Sequence, residues 1–242
     1  DLHDVPVRIW LALDYLSLAM HHARIDEFAG VPMLDLRAPA LSEYQRIIKR
    51  SFDLVLCLLA LPVALPLIGL AALLIKLDDG GPVFYHTARA GENGRIFRMH
   101  KFRTMVVDAD QKLGMVAHND ENGQVIYKHP DDPRVTRAGR FLRRTSLDEL
   151  PQIFNVLRGE MSMVGPRPEM PWLVEKYDLW QRTRFAVPQG ITGWWQVNGR
   201  SDKPMHLHTD EDLYYIQHYS LWLDARILLK TAWTVLRGKG AY

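Results

Sequence analysis

The chain has 242 residues, of which 48% are hydrophobic and 24% are charged, and this is an ordinary balance for a globular protein. The net charge of +2 is small, so electrostatic function depends on local patches rather than on the total, and we expect no nucleic-acid partner. The single cysteine, Cys57, excludes an internal disulfide framework and favours a packing or lipid-facing residue in a reducing compartment.

The first forty residues contain two short strand-like runs, at 5–9 and 30–34. Two strands of this length are too short to build a core. The chain does not begin with Met and shows no secretory signal pattern, so we expect an internal fragment or a processed protein. Residues 1–40 are therefore predicted to be the tail of a preceding domain.

The most apolar part of the chain is predicted to be a membrane helix. Ser42 and Gln45 form a capping-box pattern at its start, and residues 54–75 are 22 positions without a charge. At about 1.5 Å per residue, this run is just long enough to cross a bilayer of about 30 Å. Pro62 and Pro66 lie near its middle, where each removes a backbone donor, so a kink is expected. Because basic residues flank both ends, a broken hairpin that enters one leaflet and returns is at least as consistent as a span.

Lys49 and Asp53 precede the uncharged run and are four residues apart, on one face of a helical turn. They are predicted to pair at the membrane surface. An exposed pair contributes only about 0.5 kcal/mol, so its expected role is to place the helix rather than to stabilise it.

The segment 95–103 alternates basic with apolar residues and is predicted to form short strands or an extended hairpin with residues 83–85. No acidic residue occurs between Glu92 and Asp108, so Lys101, Arg103 and their neighbours make a local cationic surface. Two uses of this surface remain open, namely lipid headgroups or a phosphate-bearing substrate.

An adjacent carboxylate pair, Asp148 and Glu149, follows a run dense in arginine. Two carboxylates can hold a divalent cation or supply an oxygen nucleophile, while arginines neutralise phosphate oxygens. The structural alternative is that Ser146 and Glu149 form a helix capping box, which would leave Asp148 free to react. If Asp148 is instead the cap, its carboxylate is engaged with backbone donors. The arginines, of which the first four are predicted to share one helical face, are Arg134, Arg137, Arg140, Arg143 and Arg144.

The last third of the chain contains a stiff turn, a glycine-rich loop and two predicted helices. Gly165-Pro-Arg-Pro168 presents the Arg167 guanidinium between two prolines of fixed φ, which suits a phosphate clamp. The helices are predicted at 208–219 and 221–237. An apolar stripe on the second helix suits a membrane interface or the core equally well, and its members are Trp222, Leu223, Ile227, Leu228, Trp233 and Leu236.

Five motifs in order carry a resemblance to a known family. They are Lys101-Phe-Arg-Thr-Met105, Asp132-Pro-Arg-Val-Thr136, Thr145-Ser-Leu-Asp-Glu-Leu-Pro-Gln152, Gly165-Pro-Arg-Pro168, and Ile191-Thr-Gly-Trp194 continued by Gln196-Val-Asn-Gly-Arg200. Together they resemble the bacterial sugar transferases, which are monotopic phosphoglycosyl transferases, also called polyprenyl-phosphate hexose-1-phosphate transferases. The similarity runs from about Lys49 to Tyr242.

The resemblance implies an α+β, mainly helical fold, in which a re-entrant membrane helix-break-helix precedes a small cytoplasmic catalytic domain with short strands and interfacial amphipathic helices. It divides the chain into the tail at 1–40, an amphipathic and re-entrant membrane anchor at 41–77, and a catalytic domain at 78–242. The anchor would include Lys49, Asp53, Pro62 and Pro66. The implied location is the cytoplasmic face of the bacterial inner (plasma) membrane, in contact with membrane lipid, and homo-oligomerisation is left open.

The implied reaction transfers a hexose-1-phosphate from a UDP-sugar to polyprenyl (undecaprenyl) phosphate and releases UMP, as the first step of exopolysaccharide, O-antigen or capsule assembly. UDP-glucose is the first expectation for the donor, by analogy, and UDP-galactose the second. Asp148 is expected to form a covalent phosphosugar-aspartate, and Glu149 to help hold Mg²⁺. The expected substrate and phosphate ligands are Lys101, Arg103, Arg143, Pro166, Arg167, Pro168 and Arg200.

Two features depart from the family pattern: Pro188-Gln189 stands where Lys-Pro is frequent, which removes a cation near the site, and Trp195 stands where a small residue is usual. Nucleotide or sugar contacts in this loop are therefore in question. Two rival hypotheses remain open. One is a membrane-anchored module that binds a nucleotide-sugar or an anionic lipid without chemistry. The other is a Mg²⁺ phosphohydrolase that uses Asp148 and Glu149 as metal ligands.

Overall fold

The structure is a computed structural model that describes residues 24–28, 31–35, 40–109, 111, 118–119, 125–126, 132–199 and 209–236. Its α-helices are α1 (Glu43–Asp79), α2 (Arg137–Arg144), α3 (Ile153–Arg158), α4 (Pro171–Val174), α5 (Leu179–Arg182), α6 (Trp194–Gly199), α7 (Thr209–Gln217) and α8 (Leu221–Leu236). Shorter 3₁₀ helices occur at Glu92–Gly94, Leu147–Gln152 and Thr183–Ala186. The strands are β1 (Arg24–Phe28), β2 (Val31–Asp35), β3 (Phe84–Ala90), β4 (Ile96–Phe102), β5 (His118–Asn119), β6 (Val125–Ile126), β7 (Ser162–Val164) and β8 (Gly190–Thr192). The predicted mainly helical fold with short strands is confirmed.

The strands pair two by two. Three pairs are antiparallel, β1 with β2, β3 with β4, and β5 with β6. The hairpin predicted from residues 83–85 and 95–103 is confirmed as β3 and β4. The fourth pair is parallel, and it aligns Ser162 of β7 with Gly190 of β8. The strand-like run at 5–9 lies outside the described residues, whereas the run at 30–34 matches β2.

The beginning and end of α1 follow from local sequence. The Ser42 hydroxyl accepts from the Gln45 amide at 3.2 Å, and Gln45 Oε1 accepts from the Ser42 amide at 2.9 Å, so the predicted capping box is confirmed. The helix ends at Gly80, whose φ of +69° is a left-handed conformation that glycine adopts without steric cost.

Pro62 and Pro66 do not interrupt α1, which is one continuous helix of 37 residues. The prediction of a helix-break-helix is therefore wrong for the described structure. The physical reason is that each proline removes only its own N–H from the hydrogen-bond ladder, while the turns on both sides keep theirs.

One face of α1 is buried and the others carry exposed apolar side chains. Leu59, for example, is 71% exposed. Among the described helices, α1 is the one that is long and apolar enough to cross a membrane, a criterion that the core helix of a soluble protein also meets. In the part that packs on the core, the buried positions are spaced by three, four or seven residues, as expected for one helical face. They are Cys57, Ala64, Ile68, Ala71 and Ile75.

This buried face of α1 organises the core beneath the site. Its middle packs with Phe97 and Met99 of β4 and with Val156 of α3. Its C-terminal part packs with Phe102 of β4 and Leu142 of α2. Full burial of such side chains stabilises the fold by about 1.5–3 kcal/mol each. The long helix therefore fixes β4, α2 and α3 relative to one another.

Lys49 and Asp53 do not pair at a surface, and that prediction is wrong. They are only 2% and 3% exposed. Lys49 Nζ donates to Asp224 Oδ2 of α8 at 2.8 Å, and Asp53 Oδ1 accepts from the Ser162 hydroxyl and the Met163 amide of β7, both at 3.0 Å. Because buried charges need an opposite charge or hydrogen-bond donors, these tertiary partners replace the local pair. The first turns of α1 are thus tied to α8 and β7.

The two C-terminal helices lie where they were predicted, within two residues at each end. Some residues of the apolar stripe on the second helix lie in the core, and others are exposed as a membrane-interface face would be. Leu223 and Ile227 are buried in a core cluster with Tyr215 of α7. Trp222 and Trp233 are 75% and 57% exposed, and they face away from that core.

Candidate active site

The carboxylate pair lies on the 3₁₀ helix Leu147–Gln152, which leads directly into α3. Ser146 precedes it with φ +56° and ψ +16°, a left-handed conformation, and its side chain makes no capping hydrogen bond. Neither alternative for the cap is therefore correct, because Ser146 does not cap and Asp148 lies inside the 3₁₀ helix. The pair has no capping role and both carboxylates can serve the site.

Glu149 is the point where three elements meet. Its Oε1 accepts from Lys101 Nζ of β4 at 3.0 Å and from Arg167 Nη2 of the loop after β7 at 2.9 Å. The Glu149 carboxylate raises the pKa of Arg167, which keeps that guanidinium charged. The structure thus brings together Glu149, Lys101 and Arg167, which are far apart in the sequence.

Asp148 is partly buried, and no hydrogen-bond partner of its carboxylate is found among the described residues. Burial raises its pKa, and the neighbouring Glu149 raises it further, whereas Lys101, Arg143 and Arg167 lower it. A carboxylate that the described residues leave without a hydrogen bond, beside three cations, can act as an oxygen nucleophile toward an anionic group.

Arg143 reaches the site from α2. Its Nε donates to the Thr104 hydroxyl at 2.9 Å, and its pKa is lowered by burial but raised by Asp148 and Asp132. The helix lies very close to the chain at Thr104, since a Cβ added to Gly139 would overlap the Thr104 carbonyl. Glycine at 139 therefore allows the approach that places Arg143 beside Asp148.

Arg134 does not share a helical face with the arginines that follow it. It precedes α2 and is buried, with its Nη2 2.7 Å from Asp132 Oδ2. The four-arginine face is therefore wrong, because a local ion pair fixes Arg134 before the helix begins. Arg137 and Arg140 lie in α2 but are exposed.

Arg103 is not free to bind substrate, which corrects its assignment as a phosphate ligand. It is buried, its guanidinium contacts the Asp79 carboxylate at the end of α1, and it donates to the Pro82 carbonyl at 2.6 Å and the Met105 carbonyl at 2.9 Å. Arg103 therefore joins the end of α1 to the chain around β4.

The loop that presents Arg167 is supported from below. Pro166 and Pro168 are buried on either side of it and stiffen its backbone. Arg184 is fully buried, donates to the Arg167 carbonyl at 3.1 Å, and lies 2.6 Å from Asp212 of α7. Arg200, the remaining predicted ligand, lies outside the described residues, and its role stays a prediction.

Asn155 is a positioning residue that the sequence interpretation missed. It is fully buried, accepts from the His100 amide at 2.9 Å and donates to the Arg98 carbonyl at 2.8 Å. The Asn155 side chain thus makes the hydrogen bonds to the β4 backbone that an adjacent strand would otherwise make. These bonds fix β4 so that Lys101 lies opposite Glu149. The available signal was an amide side chain in the otherwise apolar segment 153–157.

Gln189, which departs from the family pattern, is also buried. Its Nε2 donates to the carbonyls of Arg184 and Val187. Trp195 is buried as well. Both substitutions therefore lie in the supporting layer of the loop.

The donor set around the pair fits a magnesium ion in part. Mg²⁺ is commonly held by one or two carboxylates, with substrate phosphates and water completing its shell. No group of three His, Cys, Asp or Glu side chains comes together in the described part of the chain. Such an ion would therefore take most of its ligands from the substrate, and Glu149 Oε1 is already shared by Lys101 and Arg167.

Comparison with known proteins gives consistent matches. Residues 44–238 match the family model described as bacterial sugar transferase. The galactosyl transferase CpsE of Streptococcus agalactiae is 40% identical over 227 residues, covering 90% of this chain and 49% of that protein. The undecaprenyl-phosphate galactose phosphotransferase of Salmonella typhimurium is 38% identical over 251 residues, covering 93% and 52%. The UDP-glucose:undecaprenyl-phosphate glucose-1-phosphate transferase of Escherichia coli is 38% identical over 254 residues, covering 100% and 52%. The chain thus spans about half the length of these relatives.

Proposed function

The chain belongs to the bacterial sugar transferase family, and from this premise we propose that it transfers a sugar-1-phosphate from a UDP-sugar to undecaprenyl phosphate and releases UMP. The observation that carries the proposal is the Asp148 carboxylate, which has no hydrogen-bond partner among the described residues and lies beside three cations. The names of the relatives support the acceptor and the sugar class, since they specify undecaprenyl phosphate with galactose or glucose. UDP-glucose and UDP-galactose are the donors to test first.

The transfer proceeds in two displacements at phosphorus. In the first, an Asp148 oxygen attacks the phosphorus that bears the sugar, the bond to the bridging oxygen breaks, and UMP leaves with the electron pair. In the second, an oxygen of the acceptor phosphate attacks the same phosphorus, and the Asp148 carboxylate leaves. Splitting one transfer into two steps is the usual benefit of covalent catalysis.

The cations around the pair stabilise the charge that develops on the transferred phosphoryl group. Lys101 and Arg167 meet at Glu149, and Arg143 approaches Asp148 from α2. Fixed charges in a partly buried site act more strongly than in water, and loss of one such donor costs about 10²- to 10³-fold in rate. Glu149 orients two of these cations when the site is empty of substrate.

Mg²⁺ is proposed as the cofactor, held by Glu149 together with the diphosphate of the donor. When bound, it would neutralise charge on the diphosphate and on the departing UMP. Lys101 and Arg167 would then share the Glu149 carboxylate with the ion or turn toward the substrate.

The membrane location is also a proposal. The exposed apolar faces of α1, together with Trp222 and Trp233 on α8, support attachment to a bilayer. A lipid-linked acceptor requires the site to lie at that surface. We place it at the cytoplasmic face of the inner membrane, where nucleotide sugars are present.

The test is to measure UMP release by the protein in lipid nanodiscs, with UDP-glucose or UDP-galactose, with and without undecaprenyl phosphate. Without acceptor, the wild type should release no more than one UMP per molecule and gain the mass of a hexose phosphate on the peptide that contains Asp148. Asp148→Asn should lose both, whereas Asp210→Asn, at an exposed position in α7, should keep both. Normal turnover by Asp148→Asn would overturn the proposal.

The same assay separates the rival functions. Binding of the UDP-sugar without UMP under any condition would identify a non-catalytic module. Release of free sugar phosphate instead of a lipid-linked product would identify a phosphohydrolase.

A further inference from the structure

A pocket of about 210 Å³ opens beside Glu149, the neighbour of Asp148 in the carboxylate pair. Ser146 and Glu149 lie on one side of it. Ala60 of α1 and the C-terminal turns of α8, from Thr231 to Val235, form other parts of its wall. The pocket therefore lies between Glu149 and the two helices that carry the exposed apolar surface.

The surface that this pocket exposes is almost entirely apolar, although Ser146, Glu149, Gln196 and three threonines are among its lining residues. Thr192 and Thr231 bring their hydroxyls within 2.6 Å of each other, and Thr231 also donates to the Ile227 carbonyl at 2.9 Å. Thr234 donates to the Lys230 carbonyl at 2.9 Å. Because their hydroxyls are satisfied within the protein, the threonines offer mainly carbon to the pocket. A sugar or a nucleotide would find few partners there.

The surroundings of the pocket continue this apolar character outward. Leu58 and Leu59 adjoin Ala60 on α1 and are exposed, as are Leu229 and Trp233 next to the threonines of α8. A cavity of about 150 Å³ lined by aliphatic side chains takes up a benzene molecule, so this pocket has room for about one or two isoprene units. An apolar path thus leads from the outer surface of α1 and α8 to Glu149.

We infer that this pocket binds the isoprene units nearest the phosphate of the polyprenyl phosphate acceptor. The inference rests on the proposed function. An acceptor bound in this way has its tail among carbon atoms and its phosphate at the charged end of the pocket, beside Lys101 and Arg167 at Glu149. The pocket orients the acceptor for the second displacement and has no part in the first.

Pocket-filling variants with matched controls test whether the pocket serves the second displacement and not the first. Ala60→Phe and Thr234→Phe add bulk inside the pocket, while Leu59→Phe and Leu229→Phe add the same bulk at exposed neighbouring positions. In nanodiscs, the filling variants should form the phosphosugar adduct and release the first UMP at the wild-type rate. Their KM for undecaprenyl phosphate should rise by about tenfold or more, because apolar burial of the tail is lost. The control variants should keep the wild-type rate of adduct formation and the wild-type KM for undecaprenyl phosphate.

Two outcomes would contradict the inference while leaving the proposed function intact. One is an unchanged acceptor KM in both filling variants. The second is a loss of adduct formation in folded filling variants, which would assign the pocket to the donor sugar. Gln196 Oε1, which lines the pocket and is buried without a hydrogen-bond partner in the described structure, makes the sugar the rival occupant. If the wild type itself forms no adduct, the proposed function fails first.

A measurement on the wild type avoids any dependence on folding of the variants. A polyprenyl phosphate analogue with a diazirine on its first isoprene unit is irradiated with the protein in nanodiscs, and the labelled peptides are identified. Labelling should fall on residues 191–197 and 231–235 and should be displaced by undecaprenyl phosphate. Labelling confined to the exposed face of α1 would overturn the inference.

Discussion

Arg167 Nη2 lies 2.9 Å from Glu149 Oε1, across 18 positions of sequence. This contact joins the loop after β7 to the 3₁₀ helix that carries the carboxylate pair. Arg184 donates to the Arg167 carbonyl and the two flanking prolines stiffen the backbone, so the Arg167 side chain reaches the site from a fixed base. Arg167 is therefore a positioned cation beside Asp148 before any substrate binds.

Replacing this guanidinium should impair the reaction more than the fold. Arg167→Lys keeps the charge but loses the planar fork, so kcat/KM for the UDP-sugar should fall by about 10²-fold. Arg158→Lys changes an exposed arginine at the end of α3 and should have little effect. Steady-state UMP release measures both. Equal losses in the two variants would remove the special role of Arg167.

The pH dependence of adduct formation should report the Asp148 carboxyl. Its pKa is raised by burial and by Glu149, so the reactive charged form is lost as pH falls through a value above the usual aspartate range. Lys101→Met removes a cation that lowers this pKa and should move the acidic limb to higher pH. Glu149→Gln removes the carboxylate that raises it and should move the limb to lower pH.

The opposite shifts expected for Lys101→Met and Glu149→Gln serve as one control for this experiment. Arg144→Met, at an exposed position in α2, should leave the limb where it is. Rates are measured as adduct formed per unit time by mass spectrometry from pH 4 upward. Shifts of the same sign in Lys101→Met and Glu149→Gln would show that the limb does not belong to Asp148.

Arg103 should behave as a structural residue. Arg103→Lys cannot reproduce the contacts with Asp79 and with the Pro82 and Met105 carbonyls, so stability should fall by about 1–3 kcal/mol. The KM for the UDP-sugar should stay within about twofold, because lost stability alone leaves substrate contacts unchanged in the folded fraction. Arg98→Lys, exposed on β4, is the matched control in denaturant unfolding. A raised KM with unchanged stability would restore Arg103 as a ligand.

The buried ion pair at the start of α1 should be costly to break on one side. Lys49→Met leaves Asp224 buried without its cation, and about 3–5 kcal/mol of stability should be lost. The double variant Lys49→Met with Asp224→Leu should recover part of this loss, since neither charge then remains buried. Lys76→Met, near the exposed end of the same helix, serves as the control. Thermal unfolding in nanodiscs gives the comparison, and additive losses in the double variant would contradict the coupling.

The left-handed backbone at Ser146 should limit which side chains are tolerated there. Its φ is +56°, a conformation that asparagine adopts readily and that β-branched residues resist. Ser146→Val should therefore lower the free energy of unfolding by about 1–2 kcal/mol, while Ser146→Asn should be nearly neutral. Chemical denaturation measures the free energy of unfolding of each variant. Similar free energies for Ser146→Val and Ser146→Asn would argue against backbone strain at this position.

Much of the local structure followed from short-range signals. The Ser42–Gln45 capping box, the end of α3 at Gly159 and the β3–β4 hairpin each depend on residues a few positions apart. The carboxylate pair and the stiff loop around Arg167 were likewise visible as motifs. Signals of this kind work because hydrogen bonding and backbone sterics within one or two turns are properties of the segment itself.

Other predictions failed where distant residues compete with local ones. Lys49 has Asp53 four positions away but bonds Asp224, 175 positions away, because the fold buries the lysine against α8. Arg103 has the motif of a phosphate ligand, yet Asp79 at the end of α1 occupies its guanidinium. No pattern within a few residues contains this information.

The sequence by itself determined which chemical groups this protein has, namely two adjacent carboxylates, a set of cations and a long apolar helix. Only the tertiary structure decided which cations meet the pair. Lys101 and Arg167 reach Glu149 because Asn155 holds β4 beside α3 and Arg184 holds the loop after β7. The physical reason is that an ion pair forms between the charges that packing brings within contact distance, and packing depends on the whole chain.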